Sequence, residues 1–161
     1  MSDHFQVRFI EKEEFRTAID LCWNVFCEFE AGLFSREGAI SFNQFINDEL
    51  LFKAFLNGGF PVVAAYDGDM MIGVAALRYG PHLSLLFVEG VYQHMGVGTA
   101  LVQYCRDWLI SRDTGLGRET LTVNAAPTGE AFYKWFGFEE DGPVVSKDGV
   151  YYRPMILNLK K

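Results

Sequence analysis

Positive charge is scarce in this sequence. Its 161 residues include 14 Lys+Arg against 21 Asp+Glu, so the formal net charge is −7 at pH 7. Nucleic-acid backbones are bound mainly through clustered Lys and Arg, and we therefore expect no nucleic-acid partner. An anionic small molecule would have to be bound by backbone amides instead.

Cysteine and long apolar runs are scarce as well. The three cysteines, Cys22, Cys27 and Cys105, have no C-x-x-C spacing and stand among apolar neighbours, which predicts reduced thiols in the core and no metal site. No apolar run reaches the roughly 18 residues of a membrane-spanning helix. With the polar start at residues 1–4, these absences predict a cytoplasmic protein without a secretory signal or a membrane partner.

The chain contains enough apolar residues for a sizeable core. Hydrophobic residues make up 50% of it and charged residues 22%, as in folded globular domains. The length of 161 residues is typical of one domain, and we find no internal repeat or low-complexity linker that would divide it. We therefore predict a single domain over residues 1–161.

The first part of the chain predicts one strand and two helices. Residues 5–10 alternate as a strand does, whereas residues 11–29 repeat their apolar side chains at helical spacing. Ser41, with Gln44 three positions later, has the form of a capping box and predicts the start of a second helix that closes near Gly58.

Three consecutive strands follow. Residues 61–66 and 70–79 are β-prone and are separated by Asp67-Gly68, a strong hairpin signal because glycine accepts the positive φ of the turn. Residues 82–88 form the third strand, and the short connections predict antiparallel pairing.

The rest of the chain alternates helices with strands. The predicted elements are a helix over 100–111, a strand over 120–124, a helix from Pro127 to Gly137, and a closing hairpin of residues 138–145 and 150–159. A helix separates strands 82–88 and 120–124, which predicts that they run parallel. The order is β-α-α-β-β-β-α-β-α-β-β, an α/β fold of the α+β type whose mixed sheet has a central parallel pair, where a ligand crevice is expected.

A glycine-rich loop joins strand 82–88 to the next helix. Gly96 and Gly98 carry no Cβ, so a ligand can approach the backbone closely. The first turn of the helix presents unpaired N–H groups at the positive end of its dipole, which predicts a pyrophosphate site that needs no lysine. A plain glycine-rich turn also fits so short a pattern. The P-loop pattern is absent, and the dinucleotide pattern would need a glycine where Leu101 stands.

Two motifs resemble those of the GCN5-related N-acetyltransferases, the GNAT family. Gln93-His94-Met95-Gly96-Val97-Gly98 fits the family's [RQ]-x-x-G-x-[GA] pyrophosphate motif. Residues 132–138 resemble the Phe-Tyr-x-x-x-Gly-Phe end of the family's following helix, and Asn124 ends the strand between the two motifs. Through the order of elements, the resemblance covers nearly the whole chain.

The resemblance implies an acyl-CoA N-acyltransferase fold with acetyl-CoA as acyl donor, no metal, and a primary amine of a small molecule or peptide as the directly attacking acceptor. It assigns to the cofactor Leu86, Phe87, Val88, Gln93, His94, Met95, Gly96, Val97, Gly98, Thr99, Asn124 and Tyr133.

His94 and Met95 stand where relatives often carry Gly, Arg or Lys, so the phosphate pocket is less basic than usual. A non-catalytic acyl-CoA-binding regulatory module is the alternative. Dimers are common in the family, and residues 150–152 are a candidate contact.

In this family, the position of Tyr133 protonates the CoA sulfur or donates a hydrogen bond to it. A phenol suits this step because its reference pKa near 10 is close to that of a thiol, about 8.5. An aromatic side chain at the edge of the core is the alternative for Tyr133, and its motif favours the catalytic role.

The general base is less clearly marked. His82 stands where some relatives carry a glutamate, and a histidine with a reference pKa near 6.5 can accept a proton directly or through water. A solvent-contacting histidine at a strand end is the equal alternative. Alternation along the strand predicts that His82 and Ser84 share one face and that Leu83 and Leu85 share the other. Glu89 is a second candidate base, with a plain loop residue as its alternative.

The resemblance places acceptor recognition in the first two helices and the segment between them. Glu28, Glu30 and Glu37 lie there among phenylalanines and would suit an amine carried on an apolar body. A solvated helix face is the simpler interpretation, which we prefer for all three.

Overall fold

The computed structural model describes residues 5–78, 81–112, 120–147 and 149–159. The strands are β1 Gln6–Phe9, β2 Val62–Asp67, β3 Met70–Arg78, β4 His82–Val88, β5 Thr120–Ala125, β6 Glu139–Glu140, β7 Val145–Lys147 and β8 Val150–Asn158. The α-helices are α1 Phe15–Phe29, α2 Arg36–Ile46, α3 Glu49–Leu56, α4 Val97–Ser111 and α5 Glu130–Phe136. Within the described ranges, no helix is both long enough and apolar enough to span a membrane.

The strands form a mixed sheet in the order β1-β2-β3-β4-β5-β8-β6, with β7 paired to β8. All neighbouring strands run antiparallel except β4 and β5, which run parallel. The β2–β3 hairpin forms where the sequence predicts it, since Asp67 pairs with Met70 across a turn that begins at Gly68, where φ is 62°. The predicted mixed sheet with a central parallel pair is confirmed.

Each face of the sheet has its own core. Helix α4 packs on one face through Leu101, Val102 and Cys105, and α1 packs on the other through Cys22 and Phe26. Burial of such side chains contributes about 1.5–3 kcal/mol for each large one. The prediction of three core thiols is wrong for Cys27, which is exposed, because it follows Phe26 directly and one helical step of about 100° turns it away from the sheet.

The segment predicted as one second helix forms two. Helix α2 begins after Ser35, whose Oγ accepts the Gly38 N–H, and α3 begins after Asp48, whose carboxylate accepts the Leu50 N–H. The prediction that Ser41 caps a helix is therefore wrong, since Ser41 lies inside α2. An aspartate that caps a new helix competes with continuation of the old one, which explains the break.

The closing hairpin is also more divided than predicted. Residues 138–145 contribute only β6 and the first residue of β7, and these two strands pair with different parts of β8. Pro143 lies between them and has no N–H to donate to a strand ladder, so a continuous partner strand cannot form through it.

Strand β4 contains a bulge. Leu83 pairs with Leu77, and Leu85 pairs with the adjacent Ala76, so Ser84 is the extra residue. As a result, Leu83 belongs to the core under α4, whereas Leu85 belongs to the core under α1. The prediction that Leu83 and Leu85 share a face is wrong, because strict alternation holds only for a strand without a bulge.

Candidate active site

A cleft opens where the two parallel strands diverge. β4 and β5 pair only at His82–Thr122 and Leu83–Val123, although both strands continue further along the chain. The bulge at Ser84 directly follows the last paired residue of β4 and bends the strand there. The resulting cleft has a volume of about 540 Å³.

The cleft brings together most of the residues that the sequence predicts to bind a cofactor. Those that line it are Leu86, Phe87, Val88, Gln93, His94, Gly96, Gly98, Thr99, Asn124 and Tyr133. The two others lie elsewhere: Met95 is exposed, and Val97 is buried in the core under α4. The lining among described residues contains no lysine or arginine.

Residues 93–99, which we call the glycine loop, present backbone amides to the cleft. Gly96 is the residue before α4, with a φ of 89° that favours glycine, and a Cβ placed there would meet nothing within 4 Å. The first N–H bonded within the helix is that of Ala100, which donates to the Gly96 carbonyl at 3.0 Å. The amides of Val97, Gly98 and Thr99 therefore have no helical partner, which makes this helix start suitable for an anion.

The glycine loop is anchored at its base. The Gln93 side-chain amide donates to the Val88 carbonyl at 3.0 Å, and the Tyr92 hydroxyl donates to Asp67 Oδ2 at 2.5 Å. His94 has a φ of 64°, a backbone conformation that costs a residue with a side chain about 1 kcal/mol or more. These contacts hold the loop in one strained conformation against the end of β4.

Tyr133 contributes a phenol to the cleft. Its ring is buried and packs edge-on against Phe132 and Phe138, each at 5.2 Å between ring centroids. Burial raises the pKa of the Tyr133 hydroxyl, and the negative charge of Glu30 raises it further. The phenol is therefore protonated at neutral pH. It has no hydrogen-bond partner within the described part of the chain and is free to donate to a bound molecule.

Glu30 also lines the cleft, although the sequence favours a solvated helix face for it as for Glu28 and Glu37. It follows α1, its backbone N–H donates to the Phe26 carbonyl at 2.8 Å, and it lines the cleft. Burial raises the pKa of its carboxyl group to about 7. Glu28 and Glu37 are exposed, so the solvated-face interpretation fits those two but not Glu30. The phenylalanines nearby gave no distinguishing signal, because they stand near Glu28 and Glu37 as well.

The segment that carries Glu30 is held on two sides. Before it, the Phe29 ring lies against Gly90, where an added Cβ would come within 2.8 Å of Phe29 Cζ. After it, Ser35 donates to the Gly149 carbonyl from its backbone N–H at 3.4 Å and from its hydroxyl at 3.3 Å. The position of Glu30 is thus set by contacts with residues far away in sequence.

The two residues predicted as general bases do not line the cleft. His82 Nδ1 lies 2.8 Å from Thr122 Oγ1, and burial together with the positive charge of Arg78 lowers the pKa of His82 to about 4. Glu89 donates its backbone N–H to the Ile72 carbonyl at 2.9 Å. The structure therefore brings Tyr133 together with Glu30, and not with His82 or Glu89.

Known proteins with similar sequence or structure show the family and the fold of this chain. A family model described as an acetyltransferase (GNAT) domain matches residues 30–159, and no curated protein matches the chain. A GCN5-related N-acetyltransferase structure from Rhodopseudomonas palustris has a TM-score of 0.81 and 21% identity, covering 98% of both chains. The PaiA N-acetyltransferase of Thermoplasma acidophilum, in complex with coenzyme A, has a TM-score of 0.76 and 18% identity, covering 96% of this chain and 98% of that one.

A third solved structure, YncA from Salmonella typhimurium with acetyl-CoA, has a TM-score of 0.70 and 15% identity, covering 99% of this chain and 96% of that one. At these identities the structures show a shared fold. The family model goes further, because its match extends over residues 30–159 and so covers most of the chain. The chain therefore belongs to the GNAT acetyltransferase family.

Proposed function

We propose that this protein is an acetyl-CoA-dependent N-acetyltransferase that acts on a primary amine of a small molecule or peptide, with residues 1–161 as one catalytic domain. The observation that carries the proposal is a single cleft that holds both the free amides at the start of α4 and the protonated phenol of Tyr133. The amides suit a pyrophosphate, and the phenol suits a leaving thiolate.

The residues in the cleft fit acetyl-CoA. Open space at Gly96 and the unpaired amides after it would bind the pyrophosphate, which explains how an acidic chain can bind an anion. The gap between β4 and β5 would receive the pantetheine arm along Leu86 and Val88. Asn124 is exposed in the cleft and would contribute its side-chain amide. PaiA and YncA, whose structures contain coenzyme A and acetyl-CoA, share this fold.

The reaction joins the amine nitrogen to the acetyl carbonyl carbon and breaks the bond between that carbon and sulfur. Tyr133 would give its proton to the departing sulfur, which leaves as a thiol. The amine must lose a proton first, because an alkylamine with a pKa near 10.4 is neutral in only roughly one molecule in 2,500 at pH 7. His82 and Glu89 are candidate bases acting through water, since neither lines the cleft.

A non-catalytic acyl-CoA-binding module is the second candidate. The departure at His94 and Met95, where relatives often carry Gly, Arg or Lys, favours this candidate. Such a module would bind acetyl-CoA without releasing CoA in the presence of amines.

The experiment that separates the two candidates is CoA release with a panel of primary amines, followed by Tyr133→Phe. We expect turnover to fall about 100-fold, the lower range for loss of a general acid, while acetyl-CoA affinity stays the same. Tyr104→Phe is the matched control, since Tyr104 lies on α4 and packs against Phe9 outside the cleft. Full activity of Tyr133→Phe would remove Tyr133 as the acid, and absence of CoA release with every amine would favour the binding module.

We also propose a cytoplasmic location and a homodimer formed through residues 150–152. Tyr151 in this segment is 47% exposed, which leaves its ring available for a contact. Sedimentation of the purified protein tests the dimer, and fractionation of the source cells tests the location.

A further inference from the structure

Glu30 and Tyr133 line the same cleft. The titratable side chains among its described lining residues are Glu30, His94 and Tyr133. The charge of Glu30 raises the pKa of Tyr133, so the two groups lie within electrostatic reach of one another. His94 belongs to the glycine loop. Among the described lining residues, Glu30 supplies the carboxylate that an acceptor entering the cleft would meet.

The charged groups on α5 pair with residues other than Glu30. On α5, Lys134 pairs with Glu140 at 2.9 Å and Glu130 pairs with Arg153 at 3.2 Å. On α1, Glu28 is exposed beside Gly90. Among the described residues, none forms a hydrogen bond or ion pair with the Glu30 carboxylate.

A partly buried carboxylate without a protein partner is costly, because burial penalises its charged form and no cation compensates for it. Val25 and Phe29 flank Glu30 in the lining and supply apolar surface. A ligand that brings a positive charge on an apolar body would relieve this penalty. The contacts of Phe29 and Ser35 hold the backbone on either side of Glu30 at the edge of the cleft.

We propose that Glu30 binds the ammonium group of the acceptor next to Tyr133 and removes its proton before the attack on the thioester. This inference rests on the proposed acetyltransferase function. The proton moves from the ammonium nitrogen to the Glu30 carboxylate, and the neutral nitrogen attacks the carbonyl carbon. The bond between that carbon and sulfur breaks as Tyr133 protonates the sulfur, and the surplus proton that the nitrogen carries after the attack restores the Tyr133 hydroxyl. The raised pKa of Glu30, about 7, suits a base that must be ionised yet able to hold a proton near neutral pH.

The same geometry narrows the acceptor class. An α-amino acid carries a carboxylate beside its amine, and Glu30 would repel that carboxylate at close range. The described lining offers no lysine or arginine to bind it instead. The structure therefore assigns the site to primary amines on an apolar or aromatic body without an adjacent carboxylate.

Binding of phenethylamine tests the ammonium site without requiring turnover. Calorimetry on the protein saturated with CoA would compare phenethylamine with its neutral analogue 2-phenylethanol at pH 8, where Glu30 is ionised. We expect Glu30→Gln to weaken phenethylamine binding about tenfold or more and to leave 2-phenylethanol binding unchanged. Glu28→Gln, which removes an exposed carboxylate two positions before Glu30, is the matched control. Equal binding by wild type and Glu30→Gln, or no binding by wild type, would overturn the inference.

The pH dependence of turnover tests the base. With acetyl-CoA and phenethylamine, we expect kcat/KM of wild type to rise through an inflection near pH 7, and Glu30→Gln to lose this inflection and about 100-fold in rate. Phenylalanine should be a poorer acceptor than phenethylamine for the wild type. Turnover of amines with an unchanged profile in Glu30→Gln would overturn the inference and leave the proposed function intact. Binding of phenethylamine without any CoA release would overturn the proposed function and leave the ammonium site intact.

Discussion

Two parts of one cleft are built in different ways. The glycine loop offers unpaired backbone amides, and its geometry follows from a short stretch of sequence in which Gly96 has a φ of 89°. The acid–base pair consists of side chains, Glu30 and Tyr133, that are about a hundred positions apart and are brought together by packing of α1 and α5 beside the sheet. The first part depends on local conformation, and the second depends on the fold as a whole.

This difference affects what each part can tolerate. A backbone site keeps its donors when side chains change, provided that the backbone keeps its conformation. A side-chain site keeps its position when the loop changes but loses its chemistry when one functional group is replaced. Substitutions should therefore separate cofactor affinity from proton transfer.

Gly96→Trp should have the largest effect. The indole would fill the open space at Gly96, and the left-handed backbone would cost a residue with a Cβ about 1 kcal/mol or more. Because the ligand could then no longer approach the amides, we expect affinity for acetyl-CoA to fall about 100-fold or more. Titration calorimetry with acetyl-CoA and with desulfo-CoA measures the loss.

Gly58→Trp is the matched control for this prediction. Gly58 has the same φ of 89° and equally open surroundings but lies after α3, outside the cleft lining. It should lose similar stability and retain acetyl-CoA binding. Unimpaired binding by Gly96→Trp would refute the pyrophosphate assignment, and binding lost in both variants would indicate a general effect on folding.

The sequence was sufficient to predict the glycine loop and the parallel pair. Gly96, Gly98 and the strand before them are local signals, and the helix between residues 82–88 and 120–124 predicts a parallel arrangement on topological grounds. The bulge at Ser84 was not predictable, because the leucines on either side of it fit ordinary alternation equally well.

Glu30 was not predictable as a site residue for a related reason. In sequence it resembles Glu28 and Glu37, and all three stand near aromatic residues. The contacts of Phe29 with Gly90 and of Ser35 with Gly149 hold the segment around Glu30 at the cleft, whereas Glu28 and Glu37 are exposed. Such contacts between distant segments leave no mark in a single sequence.

We expect an effect of intermediate size on the free energy of unfolding, whose dependence on pH should change when Glu30 of the acid–base pair is replaced. The pKa of Glu30 is raised in the folded protein, so the folded state binds the extra proton, and this stabilisation is present at low pH. It is lost as pH rises from the ordinary glutamate range through about 7, because the partly buried carboxylate then ionises. Urea unfolding of wild type and Glu30→Gln between pH 4 and pH 8 should show a decline in wild type that the variant lacks. Parallel curves would mean that Glu30 titrates like an exposed glutamate.

His82→Ala should have the smallest effect, and it decides between two candidate bases. Loss of the contact with Thr122 should cost about 1 kcal/mol of stability, and Thr122→Val, which removes the same contact but keeps the histidine, should cost a similar amount. Because the pKa of His82 is lowered to about 4 and the ring lies outside the cleft lining, we expect the inflection of kcat/KM near pH 7 to persist in His82→Ala. If the inflection disappears in His82→Ala and persists in Glu30→Gln, the base is His82, and β4 supplies the proton acceptor instead of the segment after α1.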